Sequence, residues 1–234
     1  MKTQTILITA GPTIEPIDPM RHITNHSSGK MGYALARACI RAGYRVILIS
    51  GPTQLKKPGG CLFVPVKTAR DMLKEVLCHF PHADICFKVA AVADYRVSKF
   101  SSRKIKKTRD RFNLTLIKNP DILKKLGQIK KNSQTLVGFA AETHQGVTYA
   151  RQKLKEKNLD WIVLNEISKK NVGFGSDLNE VTLISSDGKK IKFQRQKKEE
   201  LAKQILKTVT KVPVDQTRRF SFTRFNLFSF LGRL

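Results

Sequence analysis

Short apolar runs that stop abruptly at small or polar residues restrict this chain more than any other feature. Thr5 to Thr9 ends in Ala10-Gly11-Pro12-Thr13, and Tyr44 to Ile49 ends in Ser50-Gly51-Pro52. Asp84 to Val89 runs into Ala90-Ala91, Thr135 to Ala140 leads to Glu142-Thr143, and Trp161 to Asn165 completes the series. Such runs suit strands buried on both faces, as parallel strands are. Between them the apolar residues take helical spacing. In the stretch from Lys30 to Ala42, Met31, Ala34, Leu35, Ala38 and Ala42 share one face, with Gly43 as the stop. Thr68 opens a second helix to Phe80, Asn119 or Asp121 caps a third ending near Ile129, and a fourth spans Val147 to Lys157.

This alternation predicts an α/β fold, a three-layer Rossmann-like open sheet that is mostly parallel. Leu62 to Val66 contains Pro65, which suits a sheet edge, and Leu114 to Ile117 reads as a further strand. Asn179 to Ser185 and Lys189 to Phe193 flank Ser186-Asp187-Gly188, a turn sequence that predicts a C-terminal β-hairpin. A helix from Lys197 to Val209 closes the fold. The expected division is one domain over residues 1–212 and a basic, Phe-rich tail over residues 213–234 that need not be ordered. Two readings of the tail stand open, a membrane-surface or partner-binding segment and an extension without a role.

Charge narrows the partners less than its size suggests. The formal net charge is +26 over 234 residues, yet much of it is lysine spread along the chain, so only local clusters carry information. One cluster is the arm Lys99, Arg103, Lys104, Lys106, Lys107, Arg109 and Arg111, where few aromatics interleave with the cations; a base-stacking RNA surface is poorly supported. Cys39, Cys61, Cys78 and Cys86 lack metal-ligand spacing, and no metal-ligating residues are expected. The chain opens directly into a strand-like run, without a signal-peptide pattern or a membrane-spanning apolar stretch, so the cytoplasm is the expected compartment.

The first strand exit lacks the GxGxxG fingerprint, and no acid follows the second strand, which argues against a dinucleotide site. In its place stands Thr24-Asn25-His26-Ser27-Ser28-Gly29-Lys30-Met31-Gly32, reached through the proline-containing loop Glu15 to Ile23. Small polar residues at a helix start suit an anion, and they equally suit a simple N-cap by Ser27 or Ser28. Ala90-Ala91-Val92-Ala93-Asp94, with its acid at a strand exit, describes one wall of a ligand crevice.

In this order the motifs closely resemble the phosphopantothenate–cysteine ligase family. They are Thr9-Ala10-Gly11, Glu15-Pro16-Ile17-Asp18-Pro19 with Arg21, and Asn25 to Gly32, then Ala90 to Arg96, Lys104-Ile105-Lys106-Lys107, Asn119-Pro120-Asp121-Ile122 and Gly138 to Thr143. The resemblance covers about residues 3–210 and is nearest to the bacterial, CTP-dependent type. It implies amide formation between 4'-phosphopantothenate and L-cysteine in coenzyme A biosynthesis, through an acyl-cytidylate, with release of CMP and pyrophosphate. It further implies Mg²⁺ carried mainly by the CTP phosphates, and a homodimer. In many bacteria the ligase is fused behind a flavin-dependent decarboxylase. No flavin is expected here, a separate decarboxylase is a candidate partner, and neither membrane nor nucleic acid is expected as one. The same ligation with ATP and, in another class, a basic RNA-binding module are the alternative readings.

Residue by residue, the resemblance assigns Lys104 to the triphosphate and Asn25 to the intermediate, and names these two as catalytic. Ala90, Asp94, Asn119, Pro120, Asp121, Ile122 and Phe139 match nucleotide-binding positions. Lys153 and Lys157, one helical turn apart, are placed to reach the same nucleotide. Ala90 and Ala91 would bring backbone N–H groups close to the intermediate. Arg21, Ser27, Ser28, Gly29 and Lys30 are the candidates for the phosphate of phosphopantothenate. Two departures stand out: Lys88 occupies a position where the family more often has a small residue, and Pro12 replaces a common second glycine.

Overall fold

A computed structural model of the chain describes residues 3–106, 110–166 and 176–210. Its centre is β1 (Thr5–Ala10), every residue of which is buried. Ile6, Ile8 and Ala10 enter one hydrophobic cluster and Leu7 the other, so the strand is covered on both faces. Each fully buried side chain of this size contributes about 1.5–3 kcal/mol, which makes β1 the natural spine of the domain.

β4 (Arg45–Ser50) lies parallel to β1 on one side, followed by β5 (Leu62–Pro65) at the edge. On the other side β1 pairs in parallel with β6 (Ile85–Lys88), then come β9 (Thr135–Glu142) and β10 (Trp161–Glu166). The antiparallel β11 (Leu178–Ser185) and β12 (Lys190–Lys197) complete an eight-stranded sheet. Pro65 does end an edge strand, and the 178–197 segment is the expected hairpin, with Gly188 at φ 92° in its turn. α1 (Lys30–Arg41) and α5 (Lys198–Thr210) cover one face, tied by the Arg37 guanidinium donating to Glu199. α2 (Ala69–His79), α3 (Ile122–Ile129) and α4 (Gly146–Glu156) cover the other. Among the described residues no helix is long and apolar enough to cross a membrane.

Chain order along the sheet reverses between β1 and β6, because β1 feeds β4 on one side and the chain later returns on the other. Loops leaving two such neighbours part in opposite directions and open a crevice at the strands' carboxyl ends.

Two local expectations are corrected. The segment from Glu15 to Ile23 is no irregular loop: β2 (Ile14–Pro16) and β3 (His22–Thr24) pair antiparallel around it. Asp18 makes the turn possible by accepting from the Met20 and Arg21 N–H groups at 2.8 and 2.9 Å. Neither Ser27 nor Ser28 caps α1. The N-cap is Gly29 at φ 75°, with no side-chain cap, and Ser27 Oγ only accepts from Gly29 N–H at 3.3 Å. Packing explains the substitution. A Cβ at Gly29 would stand 2.7 Å from Thr53 Cγ2, and one at Gly32 would stand 2.6 Å from Ala10 Cβ. The helix start is pressed onto the end of β1, which leaves room for glycine rather than for a capping side chain.

Gly32→Val should therefore wedge α1 away from β1 and cost about 1–3 kcal/mol, the range for overpacking a tight contact. A urea melt measures it, and a midpoint equal to wild type would show that the close approach is not needed.

Candidate functional site

A cavity of about 420 Å³ opens at the β1/β6 crevice. The start of α1, Ser27 to Gly32, forms one wall, and Gly11 at the exit of β1 lies beside it. Lys88 to Asp94, leaving β6, make the floor. Asn119 to Leu123, entering α3, and Phe139 to Ala141 of β9 make the opposite side. The fold thus gathers five segments, far apart in sequence, around one space.

The lining is cationic. Five lysines (Lys30, Lys88, Lys153, Lys157 and Lys198) face two aspartates, Asp94 and Asp121. Because α1 has no acid in its first turn and no side-chain cap, its first N–H groups add partial positive charge to the same wall. The arrangement suits an extended polyanion.

Several lysines are held in place by partners. Lys153 pairs with Glu142, Lys157 with Asp121 at 2.9 Å, and Lys30 with Asp177 at 2.7 Å. Asp121 also caps α3 by accepting from Lys124 N–H at 3.0 Å. Burial opposes its ionisation, but the Lys124 N–H together with Lys157 and Lys88 outweighs burial and holds its pKa low. Asn119 is a brace. Its amide donates to Ala93 O at 2.9 Å and accepts from Arg96 at 3.1 Å, which fixes the small-residue floor against α3.

Ala90, Asp94, Asn119, Pro120, Asp121, Ile122, Phe139, Lys153 and Lys157 all line the cavity, as do Ser27, Ser28, Gly29, Lys30 and Ala91. One expected detail does not hold. The Ala90 and Ala91 N–H groups donate to Thr9 Oγ1 at 3.2 Å and Gly11 O at 3.0 Å, so they are turned toward β1. The 90–93 segment is laid along the chain leaving β1, and its amides are used in that seam.

Asn25, Arg21 and Lys104 do not line the cavity. Asn25 sits beside it, its amide donating to Ala91 O at 3.2 Å. Arg21 is bound to Asp18 and donates to Ile105 O at 3.1 Å. Asp18 Oδ2 in turn accepts from Ile105 N–H at 3.1 Å. Asp18 and Arg21 thus clamp the basic arm at Ile105 and leave Lys104 exposed on it. Lys107 lies outside the described residues. The hydrogen bonds from Arg21, then those from the Ile105, Met20 and Arg21 N–H groups, hold the Asp18 carboxyl well below the usual range despite its burial.

Sequence reasoning missed four polar lining residues. Lys88 drew notice only as a departure, while Asn165, Asn179 and Lys198 drew none. The last three share a signal in retrospect: each is a polar residue at the end of an otherwise apolar strand or helix face. All sit at the sheet end that carries the crevice.

The family model of the DNA/pantothenate metabolism flavoprotein C-terminal domain matches residues 1–212. The chain is 48% identical over 205 residues to the coenzyme A biosynthesis bifunctional protein CoaBC of Bacillus subtilis (strain 168), covering 87% of this chain and 50% of that protein. It spans about half the length of the curated relatives it matches. The solved C-terminal domain of a coenzyme A biosynthesis bifunctional protein CoaBC superposes with a TM-score of 0.77 at 42% identity, covering 90% of this chain and 96% of that one. A Cab2 mutant in complex with phosphopantothenate-cysteine shares the fold at TM-score 0.69 and 19% identity, covering 89% of this chain and 85% of that one.

Because its folded-state pKa is depressed, Asp18 keeps the arm clamped at neutral pH and releases it only in strong acid, as pH falls through that value. Asp18→Asn should free the arm at neutral pH. Limited trypsin digestion should then cut after Lys104 or Lys106 several-fold faster than in wild type. Equal cleavage rates would show that the clamp does not hold the arm.

Proposed function

The chain belongs to the family of the DNA/pantothenate metabolism flavoprotein C-terminal domain, and on that footing we propose that it joins 4'-phosphopantothenate to L-cysteine with CTP. The observation that carries this reading is the lysine-lined cavity at the β1/β6 crevice, into which the uncapped start of α1 also points.

The chemistry needs such a place. In the first half-reaction the carboxylate of phosphopantothenate attacks the α-phosphorus of CTP; an acyl–phosphate bond forms and the bond to pyrophosphate breaks. That step gathers a carboxylate, a triphosphate and the substrate's own phosphate, and fixed cations offset their mutual repulsion. Lys153 and Lys157 are proposed on the nucleotide side with Asp94, Phe139 and the Asn119 to Ile122 entry to α3. Ser27 to Lys30 are proposed as the substrate-phosphate seat. Mg²⁺, bound mainly through the CTP phosphates, would supply counter-charge to them and would need few ligands from the protein. In the second half-reaction the cysteine amine attacks the acyl carbon, the amide bond forms and CMP leaves. Asn25 is proposed to hold the acyl-cytidylate, since a neutral amide donates to its oxygens without competing as a nucleophile. Neither half-reaction transfers electrons, so the proposed ligation needs no flavin.

Lys104 is proposed to meet the triphosphate although it stands off the cavity of its own chain. The arm must swing, or a second copy must bring it. The arm and the β7 (Tyr95–Val97) and β8 (Leu116–Lys118) pair expose Phe100, Phe112, Leu114, Leu116 and Ile117, an apolar surface that favours a homodimer. The cytoplasm, where these substrates are metabolised, is the proposed compartment. Residues 1–212 are proposed as the catalytic domain; the tail from 213 on lies beyond the described residues.

Pyrophosphate release with phosphopantothenate and cysteine should be at least tenfold faster with CTP than with ATP. Equal rates would overturn the CTP assignment, and no turnover with either nucleotide would overturn the ligase. Asn25→Asp should retain pyrophosphate release better than amide product, whereas Lys104→Gln should lose both. Product formed at the wild-type rate by the Asn25 variant would remove that residue from the mechanism.

A further inference from the structure

Lys88 ends the central strand β6, paired with Thr9 of β1 and Gly138 of β9, at the floor of the cavity. The residue is 9% exposed. Among the described residues its ammonium makes one hydrogen bond, to Ala90 O at 3.0 Å. An ammonium has three donors, so two remain for whatever occupies the cavity.

The titratable groups that face it come from several neighbouring elements. Asp121 stands at the start of α3, Lys157 at the end of α4, Asp94 in the loop after β6, and the Cys86 thiol two residues back on the same strand face. Asp121 is already paired with Lys157 at 2.9 Å, and Lys157 itself repels Lys88. Among the described residues, Lys88 is therefore a buried cation without a carboxylate of its own. A buried charge in that position is costly, and it either sheds its proton or acquires an anion. Burial pushes its pKa down to about 8.

We propose that Lys88 is a nucleotide-binding residue whose counter-ion is the phosphate of the bound nucleotide, and that binding is accompanied by proton uptake at this amine. The inference rests on the proposed nucleotide-dependent ligation and deepens it, because it turns the family departure at residue 88 into a ligand contact. The bland alternative is an amine satisfied by Ala90 O alone, with no link to ligand. The two differ in what the ligand does to the proton.

Binding of CTP with MgCl₂ is measured by calorimetry at pH 8.5 in two buffers of different ionisation enthalpy. That pH lies well above the second phosphate pKa of about 6, so the nucleotide has little proton to exchange. Wild type should take up roughly half a proton or more, because a lysine with a pKa near 8 is largely neutral at this pH and becomes charged when the phosphate arrives. Its affinity should fall as pH rises through about 8. Lys88→Met should bind CTP at least tenfold more weakly, with a flatter pH profile and the uptake largely gone. Lys198, another buried lining lysine with a lowered pKa, is retained in the variant, so the difference isolates Lys88. Methionine fills the same volume without charge, and the variant should melt no lower than wild type, which separates a binding defect from a folding one. Unchanged affinity and unchanged proton uptake in Lys88→Met would overturn the proposal while leaving the ligase reading intact. Failure of wild type to bind CTP would overturn the nucleotide reading and this proposal with it.

Discussion

Everything functional in this chain depends on β1 being buried on both faces while the chain turns away from it in opposite directions. β1 is completely buried between parallel neighbours on either side and helices above and below. The reversal between β1 and β6 then opens a gap that, among the described residues, no loop fills. The exits of β1, β6 and β9 and the starts of α1 and α3 all reach that gap. Glycine at 29 and 32 lets α1 come close enough for its first turn to form a wall. The cavity follows from packing of the core.

Electrostatics then gives the cavity its character. Lysines from separate elements are collected in a space that contains fewer acids, and most of them are held by ion pairs or by carbonyls. Pairing fixes the positions of the side chains while the net field stays positive, so a polyanion meets oriented cations. Lys88 is held by a carbonyl and, among the described residues, has no carboxylate dedicated to it. The arm is a second, outlying source of cations, set by the Asp18 clamp at Ile105.

Much of this was legible in the sequence, and the reasons are specific. The strand runs and helix faces could be read because burial imposes a strict pattern on β1, β6, β9 and β10, and the turn at Gly188 announces its hairpin. Most of the expected site residues could be grouped because they belong to contiguous motifs at strand exits. The cap of α1 could not, since a positive φ at Gly29 reflects how near Thr53 stands, a contact between residues far apart in sequence. Nor could the direction of the Ala90 and Ala91 amides, which depends on pairing with the Thr9 hydroxyl and Gly11. Asn165, Asn179 and Lys198 are isolated polar residues, and only the assembled sheet shows that they share an end with the motifs.

The central claim is that one crevice at the β1/β6 reversal receives the nucleotide. Amide hydrogen exchange with and without CTP and MgCl₂ tests it directly. Slowed exchange should concentrate in residues 27–32, 88–94 and 119–123, three segments far apart in sequence that line the same cavity. Protection confined to the basic arm, or to the β4 and β5 side of the sheet with none at these three segments, would contradict the account.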